Sequence, residues 1–390
     1  MENFKAYFDA QFASSAETGS IYKPLTVMLN AAHNARIELL DKLPIGNIKD
    51  HTVVDFGTGS WGFACVYPRL HQCKLAIGID ISPEAVAISE SLSSNGNFAY
   101  GNRFKYLVSD GLTLPLTDHS VDIFFTGECI EHVENTDVFL DEIHRVLKPG
   151  GMLILTTPNP NPWFYRAFGI EYAVGPEHIA LMGYDELGSY LTPRFETIVW
   201  QGYNLSLHPE IDQKITDTEF ARRWAGSLTE SPQDASGFIV MAKARTDYLP
   251  STYARSTFRL NSDSVRCSGT WEELPIHAGL SAHMTKAGGE IRIEFSGEQL
   301  IVLLWMHDWS GIAEVSVGEK CQEVDLYSRF GGFKRLVFRD LDVSAAQILS
   351  IKATGKKNAN SNDDQVLFFS ASSYEVTSSR KTTTAVNNRK

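Results

Sequence analysis

The stretch VVDFGTGSWG, residues 53–62, decides the fold. Two β-branched residues lead into an acidic one, Asp55, and then into glycines at Gly57, Gly59 and Gly62. β-Branched residues favour a strand, and glycine lets the backbone turn tightly and approach a ligand closely. The pattern predicts a strand over Val53–Phe56, a glycine-rich turn and a helix behind it. Read alone, Gly57-x-Gly59-x-x-Gly62 equally matches the dinucleotide fingerprint, a weak signal without its context.

Working outward, short apolar runs alternate with helical stretches. Ala76–Ile79, Phe104–Val108, Asp122–Thr126 and Met152–Thr156 read as further strands, and Phe195–Trp200 and Gly237–Ala242 as two later ones. Such alternation predicts a parallel sheet with helices on both faces. The helix before the fifth strand is well marked. Asn135 or Thr136 can cap it, Val138, Phe139, Ile143, Val146 and Leu147 form its apolar stripe, and Lys148-Pro149-Gly150-Gly151 ends it. A helical piece is expected around Phe220–Trp224.

After Arg245 the pattern changes to short strands between turn residues: Ser256–Leu260, Glu290–Phe295, Leu300–Leu304, Glu314–Val317, Arg335–Phe338, Ile348–Ala353 and Val366–Tyr374. No comparable helix pattern follows, so the second half reads as an all-β sandwich of at most about a dozen strands. The expected organisation is a helical N-terminal lid over 1–45, an α/β domain over 46–245 and a linker over 246–259. A β-sandwich over 260–377 and a disordered tail over 378–390 complete it.

Bulk properties narrow the function. The chain has 390 residues, which suits two domains. Residues 1–245 carry all of the net charge of −12. An acidic domain without a basic run suits a nucleic-acid backbone poorly. No apolar run approaches a membrane span, and the start lacks the zones of a signal peptide. Five scattered cysteines, Cys65, Cys73, Cys129, Cys267 and Cys321, form no Cys-x-x-Cys pair. They read as reduced thiols of a cytoplasmic protein.

Five signals in order carry a resemblance. They are Asp55-Phe-Gly-Thr-Gly59, Gly78-Ile-Asp80-Ile-Ser82, Ser109-Asp110-Gly111, Asp122-Ile-Phe-Phe125 and Leu147-Lys-Pro-Gly-Gly151. Residues 50–243 thereby resemble the class I S-adenosylmethionine-dependent methyltransferases. The resemblance implies an α/β Rossmann-like domain with a mostly parallel seven-stranded sheet, and S-adenosylmethionine as cofactor. It departs in one place: the family's third glycine falls at Trp61, with Gly62 next. Asp55, Gly57 and Gly59 would line the methionine part. Asp80, with Ile81 beside it, would take the ribose hydroxyls, and Asp110 and Gly111 the adenine. Glu128 would close the cofactor site. Turn and capping chemistry is the plainer role for Asp80 and Asp110.

A second constellation, Glu128-Cys-Ile-Glu131-His132, follows the fourth strand, and His178 follows the fifth. The pattern resembles ubiquinone-biosynthesis-type O-methyltransferases. It is equally similar to small-RNA 3′-end ribose methyltransferases, in which two Glu and two His bind a divalent metal. Three readings stand open. Glu131, His132 and His178 are catalytic, with a histidine as base; Glu128, Glu131, His132 and His178 hold a metal; or His132 is a packed structural residue. The Pro158–Tyr165 loop, rich in proline and aromatics, can flank an acceptor.

Residues 260–376 resemble jelly-roll modules of glycan-acting proteins through Ser268-Gly-Thr-Trp271, Phe295-Ser-Gly297, Glu323–Tyr327 and Ala353–Asn358. Trp271, Trp305, Trp309 and Tyr327 are candidates for stacking on sugars, with core packing as the plainer role. The union of the two halves predicts an O-methyltransferase for a sugar hydroxyl of a glycan or its precursor, in a chain able to self-associate. A phenolic or quinone acceptor, an RNA end, a cofactor-sensing protein without chemistry and an NAD-dependent reductase are the rivals.

Overall fold

The computed structural model describes residues 5, 8–9, 45–59, 73–94, 103–169, 175, 177–204, 227–277 and 280–379. Most of the expected N-terminal lid, Trp61 and Gly62, the piece at Phe220–Trp224 and residues 380–390 lie outside them. The chain divides into two compact units between Thr246 and Asp247.

The first unit is built on one sheet. Its strands are β1 (Thr52–Phe56), β2 (Leu75–Asp80), β3 (Phe104–Val108), β4 (Val121–Gly127), β5 (Leu147–Pro158), β6 (Phe195–Tyr203), β7 (Leu228–Thr229) and β8 (Gly237–Ala244), in the order β3-β2-β1-β4-β5-β8-β6-β7. Strands β1 to β5 are parallel, and β8 runs antiparallel between β5 and β6. The expected seven strands are therefore joined by an eighth, the two-residue β7 at the edge, too short to leave a pattern in sequence. Strand β1 lies between β2 and β4, so the chain leaves it in opposite directions. The crevice at the C-terminal ends of these strands is where open α/β sheets bind ligands.

Central strands carry runs such as Val-Val and Ile-Phe-Phe because both faces are covered; Val53, Val54, Ile123 and Phe124 are buried. Helix α1 (Pro83–Ser94) follows β2, α2 (Thr136–Val146) follows β4, and α3 (Trp163–Phe168) follows β5. Asn135 caps α2 as expected, its side chain accepting from the N–H groups of Asp137 and Val138. The Lys148–Gly151 segment interrupts the ladder rather than merely ending the helix. Val121 pairs with Leu147 and Ile123 with Met152, so four residues loop out between them. Lys148 then reaches back to Asp122 at 2.7 Å.

Arg194, after α4 (Tyr184–Leu191), is a buried clamp. It donates to Asp141 at 2.6 Å, to Asp137 at 3.1 Å and to the Tyr190 carbonyl at 3.0 Å. It ties α4 to α2, the helix that follows the candidate site.

The second unit is a two-sheet antiparallel sandwich. One sheet has the order β10-β13-β18-β15-β16: Val265–Ser268, Glu290–Phe295, Gln347–Lys357, Gly311–Val317 and Lys320–Asp325. The other has β11-β12-β19-β14-β17: Glu272–His277, Leu280–Thr285, Val366–Ser379, Gln299–Met306 and Gly332–Phe338. Alternation along β15 and β13 turns Val315, Val317, Ile291 and Ile293 inward against Val302, Leu304, Phe338 and Phe368 of the facing sheet.

Residues 246–259, expected as a linker, are corrected: Ser251–Phe258 form β9, paired with β19. Its sequence is mostly polar because all of its side chains but one are exposed or half-buried, which hides a strand from hydrophobic patterning. Likewise β19 runs to Ser379, past the expected start of a tail. Among the described residues, no helix is long and apolar enough to cross a membrane.

Candidate active site

The glycine turn after β1 is fixed by the next strand. The N–H groups of Gly57 and Thr58 donate to the Ile79 carbonyl at 2.8 and 3.1 Å. Gly57 has a φ of +76°, and a Cβ there would lie 2.7 Å from the Cys129 sulfur. Only glycine fits that close approach, which sets the turn against the segment after β4. Asp55 is buried and accepts from the Thr58 hydroxyl at 3.1 Å.

Asp80 ends β2. One carboxylate oxygen accepts from Gly59 N–H at 2.8 Å and the other from Ser82 N–H at 2.9 Å. Burial raises its pKa above the usual range, against the lowering effect of those N–H groups. Each carboxylate oxygen has a second lone pair, so a vicinal diol can be received by a carboxylate already held in place. That acceptor pair fits the two hydroxyls of a ribose. The Ser82 hydroxyl donates to Asp9, on the N-terminal segment. Ile81 is half-buried beside Asp80.

Asp110 is also half-buried, and its side chain accepts from Leu112 N–H at 3.0 Å, the turn role expected of it. Gly111 has a φ of +80°, and a Cβ there would lie 2.6 Å from the Phe56 ring.

Glu128 follows β4 with a φ of +50°, and its carboxylate accepts from the Tyr203 hydroxyl at 2.5 Å. A bulky residue in the left-handed region marks a constraint worth a functional reading. The turn Ile130–His132 is a single 3-10 turn. Glu131 is 1% exposed and accepts from the Thr157 hydroxyl at 2.8 Å.

His132 Nδ1 lies 3.0 Å from the Glu177 carbonyl, an acceptor, so Nδ1 carries the proton and Nε2 keeps its lone pair. His132 and His178 rings are 4.7 Å apart, and His132 Nε2 is 3.9 Å from Glu131. Burial, aided by His178, pushes the His132 pKa down to about 4. Burial lowers His178 as well. Nδ1 of His178 is buried without a hydrogen-bond partner among the described residues. Phe8 packs edge-on against His132 at 5.7 Å. The Cys129 thiol is pushed well up by burial and by Glu131, Asp80 and Asp55, so it is no nucleophile.

Glu131, His132 and His178 each offer a ligand atom within 4.8 Å of the others. Glu128, expected as a fourth ligand, is not in that group; one of its carboxylate oxygens accepts from Tyr203, and its charge acts on both histidines. Sequence reasoning missed Tyr203, Phe8 and Asp9. Tyr203 ends β6, which runs in the direction of β5, so it reaches the strand ends that carry Glu128.

The comparisons fall on this same region. Residues 54–155, from β1 to β5, match the family described as "Methyltransferase domain".

The first unit carries a methyltransferase domain on a Rossmann-like sheet.

The chain is 30% identical over 140 residues to norajmaline N-methyltransferase of Rauvolfia serpentina, covering 33% of this chain and 46% of that protein. It is 29% identical over 183 residues to malonyl-[acyl-carrier protein] O-methyltransferase 1 of Coxiella burnetii, covering 46% and 59%. This chain thus spans about half the length of these relatives. Among solved structures it is similar to the methyltransferase bound to the Trm112 activator of Haloferax volcanii. There the TM-score is 0.42 at 21% identity, over 61% of this chain and 97% of that one.

In the sandwich, Trp305 is buried, and Trp271 packs on the core and donates to the Ser268 carbonyl at 3.0 Å. Tyr327 is half-buried, and Trp309 is 49% exposed. Of the four aromatic candidates, Trp309 alone is exposed. On the Pro158–Tyr165 loop, Trp163 is exposed and Phe164 buried.

Proposed function

We propose that this chain transfers the methyl group of S-adenosylmethionine to a hydroxyl oxygen, on a sugar of a glycan or its precursor. The observation that carries the reading is the imidazole pair beside Glu131, with His132 Nε2 unprotonated and its Nδ1 proton held by Glu177. The sugar acceptor rests on the glycan-type resemblance of the sandwich.

Asp80 would hold the ribose and Asp110 with Gly111 the adenine, while Asp55, Gly57 and Gly59 would line the methionine part. When bound, S-adenosylmethionine supplies a methyl group on a sulfonium, ready for in-line displacement. As the oxygen–methyl bond forms and the sulfur–methyl bond breaks, the acceptor hydroxyl becomes a strongly acidic oxonium. His132 Nε2 takes its proton. A base of pKa about 4 suffices for so strong an acid, and it stays unprotonated at neutral pH. Orientation by the surrounding side chains supplies much of the acceleration. Glu128, held by Tyr203, faces the same strand ends and would orient the acceptor or the cofactor.

A second reading has its own support. The three converging ligand atoms and the unpartnered Nδ1 of His178 suit a divalent cation, which would lower the acceptor's pKa. Glu131, His132 and His178 would hold it.

The test is incubation with methyl-labelled S-adenosylmethionine and fractionated cell extract, with Asp80→Ala as control. Label in the polysaccharide or sugar-precursor fraction, absent from the control, supports the glycan reading. Label in lipid, small aromatic or RNA fractions overturns it. Loss of labelling with a chelator, restored by a divalent cation, selects the metal reading over the simple base.

A further inference from the structure

A cleft of about 600 Å³ opens in the second unit, lined wholly by that unit's residues. Its size falls within the ~300–1,000 Å³ of small-molecule pockets. Buried Phe258 and Phe295 give it apolar surface, and Ile348, 54% exposed, adds to it.

Its polar lining is ordered along the strands. Arg266 of β10 and Arg292 of β13 are directly opposite one another in the antiparallel ladder. Like charges in that position destabilise a sheet, so two arginines there ask for a reason. Within the protein, Arg266 donates to the Asp263 carbonyl at 2.5 Å, and Arg292 donates through Nε to Glu290 at 2.8 Å. Each guanidinium has five N–H donors, so most of them remain for a ligand. Arg292 is 63% exposed.

Glu294 lies two residues beyond Arg292 on the same face of β13, roughly 7 Å along the strand, and Glu375 of β19 also lines the cleft. The cleft therefore brings two guanidinium groups and two carboxylates together with apolar surface. A lone phosphate uses only the guanidinium groups. A neutral sugar leaves their spare donors without an anion.

We propose that this cleft binds an anionic saccharide. An oxyanion, carboxylate or phosphate ester, takes the Arg266–Arg292 pair, and ring hydroxyls donate to Glu294 and Glu375. The site is separate in kind from the methyl-transfer chemistry and does not rest on the identity of the methyl acceptor.

The experiment is calorimetric titration of the full chain with galacturonate oligosaccharides, a hexose phosphate and, as the neutral control, maltooligosaccharides. At least one acidic probe binds, about tenfold or more tighter than the neutral control, and weakens with salt. The acidic probe that binds identifies the oxyanion. The R266E/R292E double variant abolishes that binding, whereas R266K/R292K weakens it without abolishing it, since the charge stays and the planar fork is lost. Unchanged circular dichroism and an unchanged urea melt of the second unit show that both variants are folded. Equal binding of neutral and acidic probes, no binding of either acidic probe, or acidic binding that survives the charge reversal overturns the proposal.

Discussion

Glu128 occupies the left-handed region that few side chains tolerate, and the Tyr203 hydroxyl holds its carboxylate there. A hydrogen bond to a charged group contributes about 1.5–3 kcal/mol. Tyr203→Phe removes it while keeping the ring, so turnover is expected to fall roughly tenfold or more. Steady-state kinetics check this; unchanged kcat/KM means that the pair is only structural.

His132 makes a pH prediction. Its ordinary pKa of 6.5 falls to about 4 in the folded protein. Between those values the unfolded chain binds a proton that the folded chain refuses. Stability is therefore full above pH 6.5 and falls as pH drops toward 4, by at most about 1.4 kcal/mol per pH unit for this one group. Denaturant melts across that window, in chelated buffer, should show a shallower pH slope for His132→Asn than for the parent protein. Equal slopes contradict the buried, neutral imidazole.

At the scale of elements, α2 and α4 are held together by one buried cation. Arg194 serves Asp141 and Asp137 at once, and Asp141 is nearly inaccessible. Removing the arginine strands a buried carboxylate, which costs about 3–5 kcal/mol. Arg194→Met should lower the stability of the first unit by that order in urea melts. A change within experimental error would mean that the carboxylates find other partners. Gly111 is constrained by its turn: the φ of +80° and the Phe56 contact both oppose a side chain. Gly111→Ala is expected to destabilise by about 1–3 kcal/mol, read in the same melts.

Over the whole molecule, the two units have separate cores. Leu304 is fully buried in the sandwich core, and Leu304→Ala should cost about 2–5 kcal/mol in the unfolding of the second unit. S-adenosylmethionine affinity should be unchanged, since Asp55, Asp80 and Asp110 all lie in the first unit. A parallel loss of cofactor binding in the folded variant would contradict separate cores.

Legibility followed the physics at each position. The glycine turn, Asp80 and the Asn135 cap were readable because each is a local motif acting within a few residues of itself or at a strand end. Strands β1, β2, β4 and β5 were readable from buried apolar runs, and β3 from its apolar residues although none of them is buried. By contrast β10, β11, β16 and the first half of β9 carry mostly exposed or polar side chains, so no alternation announces them, and only the end of β9 was read as a strand. Tyr203 and Asp9 were hidden for another reason: each meets its partner across more than 70 residues of chain. Glu128 has a partner that motif reading does not supply. Its spacing put it with Glu131 and the histidines, and an aromatic hydroxyl on another strand engages it as well.

The central claim is that the strand-end crevice of the first unit binds S-adenosylmethionine through Asp80. The most direct measurement is calorimetric titration of the full chain with S-adenosylmethionine and, separately, with NAD, for the parent protein and Asp80→Ala. Two charge-assisted hydrogen bonds are at stake, so the substitution should weaken S-adenosylmethionine binding by about a hundredfold or more, and NAD should not bind. Equal affinity in the two proteins, or binding of NAD in place of S-adenosylmethionine, would contradict the account.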